Sequence, residues 1–140
     1  MAKDERVELL RKVHLFAGCT DKQLAFIATQ VDEVDFVAGR DLCREGAAGG
    51  EFFVILTGTA EVRRQGRHLR ELGAGDFFGE IALLDGGPRT ATVTALSPMK
   101  CLVLSRGEFH NVIRQNALIA VSVLQTLGER LRTLLVGQAT

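Results

Sequence analysis

The sequence predicts a mainly β domain of sandwich, jelly-roll or barrel type, with helices at both ends. Three observations carry that expectation. Apolar residues recur at helical spacing near both termini. Between residues 31 and 104, short runs rich in Val, Ile and Phe alternate with Gly-containing breaks, the pattern of strands joined by tight turns. Most of the 15 glycines fall between Gly39 and Gly87, where a chain that reverses direction repeatedly needs residues tolerant of positive φ.

Near the N-terminus, Val7, Leu10 and Val13 lie about one helical turn apart, which predicts a helix over Glu5–Val13. Thr20-Asp21-Lys22-Gln23 is a capping box, with Thr at the cap and Gln placed three residues later to reach back. Cys19 and Leu24 stand where the accompanying hydrophobic staple belongs, and the second helix covers Asp21 to Gln30. Six strands then follow: Val31–Val37, Glu51–Thr57, Thr59–Arg64, His68–Leu72, Ala91–Leu96 and Lys100–Leu104. In the fifth, Ala91, Val93 and Ala95 alternate with Thr92 and Thr94, the period of a strand with one buried face. Ser105-Arg106-Gly107-Glu108 is a second capping box, flanked by Leu104 and Phe109, and starts the C-terminal helical region. From Leu118 to Val136, Ala120, Leu124, Leu127, Leu131 and Leu134 recur at spacings of three and four. That seam reads either as packing against the β domain or as a homodimer contact.

Composition bounds the function. At 140 residues a single domain is expected over 1–140, with a helical lead at 1–30, β structure at 31–104 and C-terminal helices at 105–137. Seventeen basic and 17 acidic side chains leave no net charge, which argues against a direct nucleic-acid partner. Cys19, Cys43 and Cys101 are widely spaced with no CxxC pair, so they read as small buried hydrophobes in a reducing cytoplasm. The N-terminus is charged and shows no signal peptide, and Gln115–Gly128, the longest uncharged stretch near the C-terminus, is too short and polar to span a bilayer. No membrane association is expected. His14, His68 and His110 stand apart, so neither a cupin-like metal site nor a Ser-His-Asp arrangement is signalled. The expectation is a protein that is not an enzyme and holds no metal.

The chemistry concentrates in residues 75–93. Gly79 opens a short helical turn over Ile81–Leu84, and the first N–H groups of such a turn have no intrahelical partners. With an adjacent cation they suit an anion. Arg89, ten residues after Gly79, offers a planar fork for bidentate binding of phosphate oxygens, and Thr90 adds a hydroxyl. Pro88 fixes φ just before Arg89. A carboxylate repels phosphate, so Glu80 must face another part of the ligand, where it can accept from a neutral donor such as a ribose hydroxyl.

Phe78-Gly79-Glu80-Ile81-Ala82-Leu83-Leu84, followed by Pro88-Arg89-Thr90-Ala91-Thr92-Val93, resembles the phosphate-binding cassette of the cyclic nucleotide-binding domain family, without gap or insertion. That family occurs in cAMP receptor transcription factors, cyclic-nucleotide-dependent kinases and gated channels. Leu15-Phe16, Phe36-Val37-Ala38-Gly39, Arg44-Glu45-Gly46, the run from Phe52 to Gly58 and Leu72-Gly73-Ala74-Gly75-Asp76 match its turns and strands, so the resemblance covers essentially the whole chain.

The resemblance implies an eight-stranded antiparallel, jelly-roll-like β-roll, with N-terminal helices, a short helix in a cassette at 78–93 and C-terminal lid helices. It implies that Arg89 pairs with the cyclic phosphate, completed by backbone amides near Ile81, Ala82 and Thr90. Glu80, with the backbone of Gly79, takes the ribose 2′-OH. Val62 and Leu69 form the wall against the purine, and Arg132, Thr133 or Leu134 caps the base from the lid. The expected role is a non-catalytic sensor of cAMP, the commoner ligand of the family, with cGMP as the alternative. A β-roll that has lost its ligand and serves as an interaction module is the rival. No cofactor is implied beyond the ligand, and the effector is an unnamed protein. In the cAMP receptor class a helix-turn-helix follows the lid helix. This sequence ends at Thr140, so the expectation is a free-standing sensor or the sensor part of something longer.

Overall fold

Short runs rich in Val, Ile and Phe pair into two four-stranded antiparallel sheets in the computed structural model, which describes residues 2–138. In chain order the elements are α1 (Lys3–Arg11), a 3-10 turn (His14–Phe16), α2 (Asp21–Ala28), β1 (Asp32–Phe36), β2 (Asp41–Cys43), β3 (Glu51–Thr57), β4 (Ala60–Arg64) and β5 (Arg67–Leu72). They continue with β6 (Phe77–Phe78), α3 (Glu80–Asp85), β7 (Thr92–Ala95), β8 (Met99–Ser105), α4 (Arg106–Gln115) and α5 (Ala117–Gln138). One sheet has the order β1-β8-β3-β6 and the other β2-β7-β4-β5. The chain divides into a β unit, Val31–Phe109, and a helical unit made of Met1–Gln30 and His110–Thr140.

In the β unit both sheets feed one apolar core. Phe53, Ile55, Phe78, Cys101 and Val103 come from the first sheet, and Cys43, Ala60, Val62, Leu72, Val93 and Ala95 from the second. Phe53 and Phe78 are register partners and their rings stack at 4.7 Å. β7 shows the expected alternation: Val93 and Ala95 are buried, while the Thr94 hydroxyl donates to Asp41 and the Thr92 hydroxyl accepts from the Glu45 N–H. β5, at a sheet edge, is exposed at all but its last residue and carries Arg67, His68, Arg70 and Glu71. Charges on an edge strand oppose pairing with another chain. β2 and β6 escape sequence patterning because three and two residues are too few to show a period.

Both capping boxes form. The Gln23 N–H donates to Thr20 Oγ1 while the Thr20 N–H donates to Gln23 Oε1. Ser105 and Glu108 make the same reciprocal pair at the start of α4. α1 starts before the expected Glu5 and stops at Arg11, and α2 stops at Ala28 rather than Gln30.

The helical unit packs α5 by a stripe other than the seam read from the sequence. Ile119, Val123 and Thr126 are buried, and Thr126 lies over Gly18, where a Cβ would stand 3.2 Å from its hydroxyl. Leu124, Leu131 and Leu134 of the seam are 66%, 58% and 62% exposed. The apolar spacing is real, yet within the helical unit it is not the packed face.

Candidate nucleotide-binding site

The site is built around α3. Gly79, at its N-cap, has φ of 84°, a left-handed conformation that costs any residue with a Cβ. A Cβ there would also meet the Glu51 carbonyl at 2.7 Å and Arg89 Nη1 at 2.8 Å. Glycine is required on both counts. The turn that follows is Glu80–Asp85, a little longer than the expected Ile81–Leu84.

Arg89 occupies a slot walled by two glycines. A Cβ at Gly49 would lie 2.2 Å from its Nε, and Gly79 closes the other side. The loop before β3 fixes the backbone: Arg89 N–H donates to Ala47, the Gly46 N–H donates to Arg89, and Ala48 bridges Pro88. Arg89 is 9% exposed. Nη2 donates to the Glu51 carbonyl at 2.8 Å, and the Phe53 ring centre lies 6.0 Å away. Nη1 is buried with no hydrogen-bond partner, and among the described residues no carboxylate pairs with the group. A buried cation without a counter-ion is costly, and a bound anion relieves that cost.

Two cavities meet at this arginine. One of about 250 Å³ is lined by Gly79, Glu80, Ile81, Ala82, Arg89 and Thr90, with Asp85, Gly87 and Pro88. These include all six residues expected at the phosphate and ribose. A second of about 150 Å³ shares Gly79, Arg89 and Thr90, and adds Val62 and Leu69, the expected purine wall. One amide differs from expectation: the Ala82 N–H is engaged with the Gly79 carbonyl at 3.2 Å. Such a short turn closes 3-10 fashion and uses a donor that a longer helix leaves open. Arg132, Thr133 and Leu134 are exposed residues of α5, in the helical unit, and the Thr133 hydroxyl donates to Glu129.

The sequence matches the cyclic nucleotide-binding domain family over residues 33–116, which span the whole β-roll core and the cassette. The chain belongs to the cyclic nucleotide-binding domain family. Among curated proteins it is similar to a CRP-like cAMP-activated global transcriptional regulator of Mycobacterium tuberculosis, with 28% identity over 130 residues. That alignment covers 89% of this chain but 58% of the regulator, so the chain spans little more than half the length of such relatives. Among solved structures it is similar to the N-terminal domain of a transcriptional regulator from Streptomyces coelicolor A3(2), at 31% identity and a TM-score of 0.84, covering 93% of this chain and 94% of that one. The catabolite activator protein of Thermus thermophilus shares 26% identity with a TM-score of 0.70, covering 91% of this chain and 62% of that one.

Seen as a member of this family, the chain has features that sequence reasoning missed. Gly49 and the Glu51 carbonyl hold Arg89, yet neither lies in the cassette. The Gly49-Gly50 pair was the available signal. Cys43, Arg64 and Arg70 line the purine-side cavity. Arg64 is anchored by its Nε, which donates to the Thr90 carbonyl at 3.0 Å. Burial pushes the Cys43 thiol up to about 11, with Arg89 pulling weakly the other way. It behaves as a small apolar surface rather than a nucleophile.

Proposed function

We propose that this domain is a non-catalytic cyclic nucleotide sensor that binds cAMP. The cyclic phosphate sits on Arg89 beside Thr90 and the start of α3, Glu80 and Gly79 take the ribose 2′-OH, and the purine lies towards Val62 and Leu69. The observation that carries this reading is the buried Arg89 side chain, with an unused donor and no counter-ion among the described residues, lining a cavity. The cAMP-activated relative supports the choice of ligand. Glu80 lines the same cavity without contributing to a metal cluster, since no group of three or more ligand-type side chains occurs among the described residues.

Output passes through the C-terminal helices, with Arg132, Thr133 or Leu134 capping the base. The exposed Leu124–Leu134 seam is the surface for a homodimer contact or a protein effector. Ligand shifts this output only through its different affinity for two arrangements of the helices. With no net charge, residues 1–140 are assigned no DNA contact of their own and no membrane contact.

One observation favours cGMP as the second reading. The purine-side cavity carries Arg64, Arg70 and Thr90 and no carboxylate. A guanidinium bonds guanine O6 and N7 as a pair, whereas adenine presents one acceptor and one donor on that edge. Isothermal titration of the wild type and Arg89→Ala with both nucleotides tests the assignment. The expected result is cAMP binding that weakens about 100-fold or more without Arg89, about 3 kcal/mol. Unchanged affinity in Arg89→Ala would overturn the site. No binding of either nucleotide by the wild type would favour the interaction-module reading, and a preference for cGMP would select the second.

A further inference from the structure

A second arginine stands at the other end of α3. Arg106, the first residue of α4, donates its backbone N–H to the Gly50 carbonyl. Its side chain then runs back between two glycines. A Cβ on Gly50 would lie 3.1 Å from Arg106 Cβ, and one on Gly86 would lie 3.3 Å from Cδ, Nε and Cζ together. Gly86 is the C-cap of α3, with φ of 65°. The guanidinium therefore lies flat against the residue that ends the cassette helix. Nη2 reaches the Leu84 carbonyl at 3.5 Å, the outer limit of a hydrogen bond, and Nε is buried with no partner.

We infer that Arg106 is a positioning residue that couples the cassette helix to the first turn of α4. The inference rests on the reading that the cassette binds a cyclic nucleotide. Three features support it. The last carbonyls of a helix have no intrahelical donors, and a cation placed there is favourable. The backbone of Arg106 belongs to α4 while its side chain belongs to the end of α3, so a displacement of either moves the other's contact. Its bonding is incomplete: one bond is at its limit and one donor is idle. A shift of the Leu84–Gly86 backbone by a few tenths of an ångström decides whether the fork engages fully. A coupled switch of this kind requires two arrangements that differ in contact energy, here the bond made and the bond broken. The two glycines supply the room; a side chain at either position would crowd the arginine.

The test is hydrogen exchange of the full chain with and without saturating cAMP, in the wild type, Arg106→Met and Arg106→Lys. Arg106→Met keeps the stem and removes the donors; Arg106→Lys keeps a charged donor. In the wild type, cAMP should slow exchange both in the cassette, residues 79–90, and in α4. In Arg106→Met, cassette protection should persist while the ligand-dependent slowing in α4 falls about fivefold or more, at the lower end of usual coupling between sites. Arg106→Lys should restore most of it. A purely structural role predicts instead that both segments loosen together, with or without ligand. Protection of the wild-type cassette with α4 unchanged, or an Arg106→Met response equal to the wild type, would overturn the coupling alone. Equal loss in Met and Lys variants would overturn the donor role. Absence of any protection in the wild-type cassette, with cAMP or cGMP, would overturn the binding reading and the coupling with it.

Discussion

Arg89 and Arg106 stand at opposite ends of one six-residue helix, each beside a member of the Gly49-Gly50 pair and a left-handed glycine that caps α3. Their surroundings differ in a way that fits the binding role proposed for one and the connecting role inferred for the other. Arg89 is buried at the N-terminal end, where helix N–H groups already make the potential positive, and among the described residues no carboxylate forms an ion pair with it. Arg106 is half-buried at the C-terminal end, where carbonyls make a cation welcome. The first is an unfavourable placement that an anion corrects. The second is favourable without ligand, which suits the connecting role inferred for it.

The widest expected separation is in affinity. Arg89→Ala should cost about 100-fold or more in cyclic nucleotide binding, while Arg106→Met should change it by less than about tenfold, because Arg89 lines the candidate cavity and Arg106 does not. Equal losses in a titration would erase the distinction.

A pH experiment probes the Arg89 side of the comparison. Burial raises the thiols of Cys43 and Cys101 from an ordinary 9.0 to about 11. A raised thiol contributes stability that is fully present below pH 9 and is lost as pH rises from about 9 to about 11, since the unfolded chain ionises first. Each accounts for about 2–3 kcal/mol at most. Chemical denaturation across that range should show the decline, and Cys43→Ala should remove about half of it, leaving the part due to Cys101. Because Arg89 lowers the Cys43 value, Arg89→Ala should slow alkylation of Cys43 at pH 9; faster alkylation would contradict the charge environment described.

The glycine walls give a smaller contrast. Gly49→Ala forces an atom to 2.2 Å from Arg89 and should destabilise by about 1–3 kcal/mol with a loss of affinity. Gly50→Ala meets Arg106 at 3.1 Å and should cost less than about 1 kcal/mol. Thermal melts and titrations of the pair check the order.

The smallest effect is one of sign. In the nucleotide-free protein, Arg89→Met should leave stability unchanged or raise it by about 1 kcal/mol, because an unpaired buried cation is removed. Arg106→Met should lower it by about 1 kcal/mol through a lost hydrogen bond. Denaturant midpoints that move in the same direction would show that the two slots are energetically alike.

Much of the fold was legible because its signals are local. Thr20/Gln23 and Ser105/Glu108 are capping boxes written within four residues, and both form. Alternation in β7 places Val93 and Ala95 inside. β2 and β6 were not legible, since their pairing depends on partners distant in sequence. The seam of α5 was legible as a pattern, but a helix presents several stripes, and only packing selects Ile119, Val123 and Thr126 for burial.

At the site the same division holds. By itself the sequence determined which residue types could meet an anion: Gly79, Glu80, Arg89 and Thr90 lie within one short segment, and their spacing resembles a known cassette. Only the tertiary structure decided that Gly49 and the Glu51 carbonyl grip Arg89, that the Ala82 amide is engaged, and that Arg106 closes the far end of α3. The reason is physical. Turn and cap propensities act over a few residues, whereas room for a guanidinium is set by backbone segments about 40 residues away in the chain, as Glu51 and Arg89 are, and no local pattern records that distance.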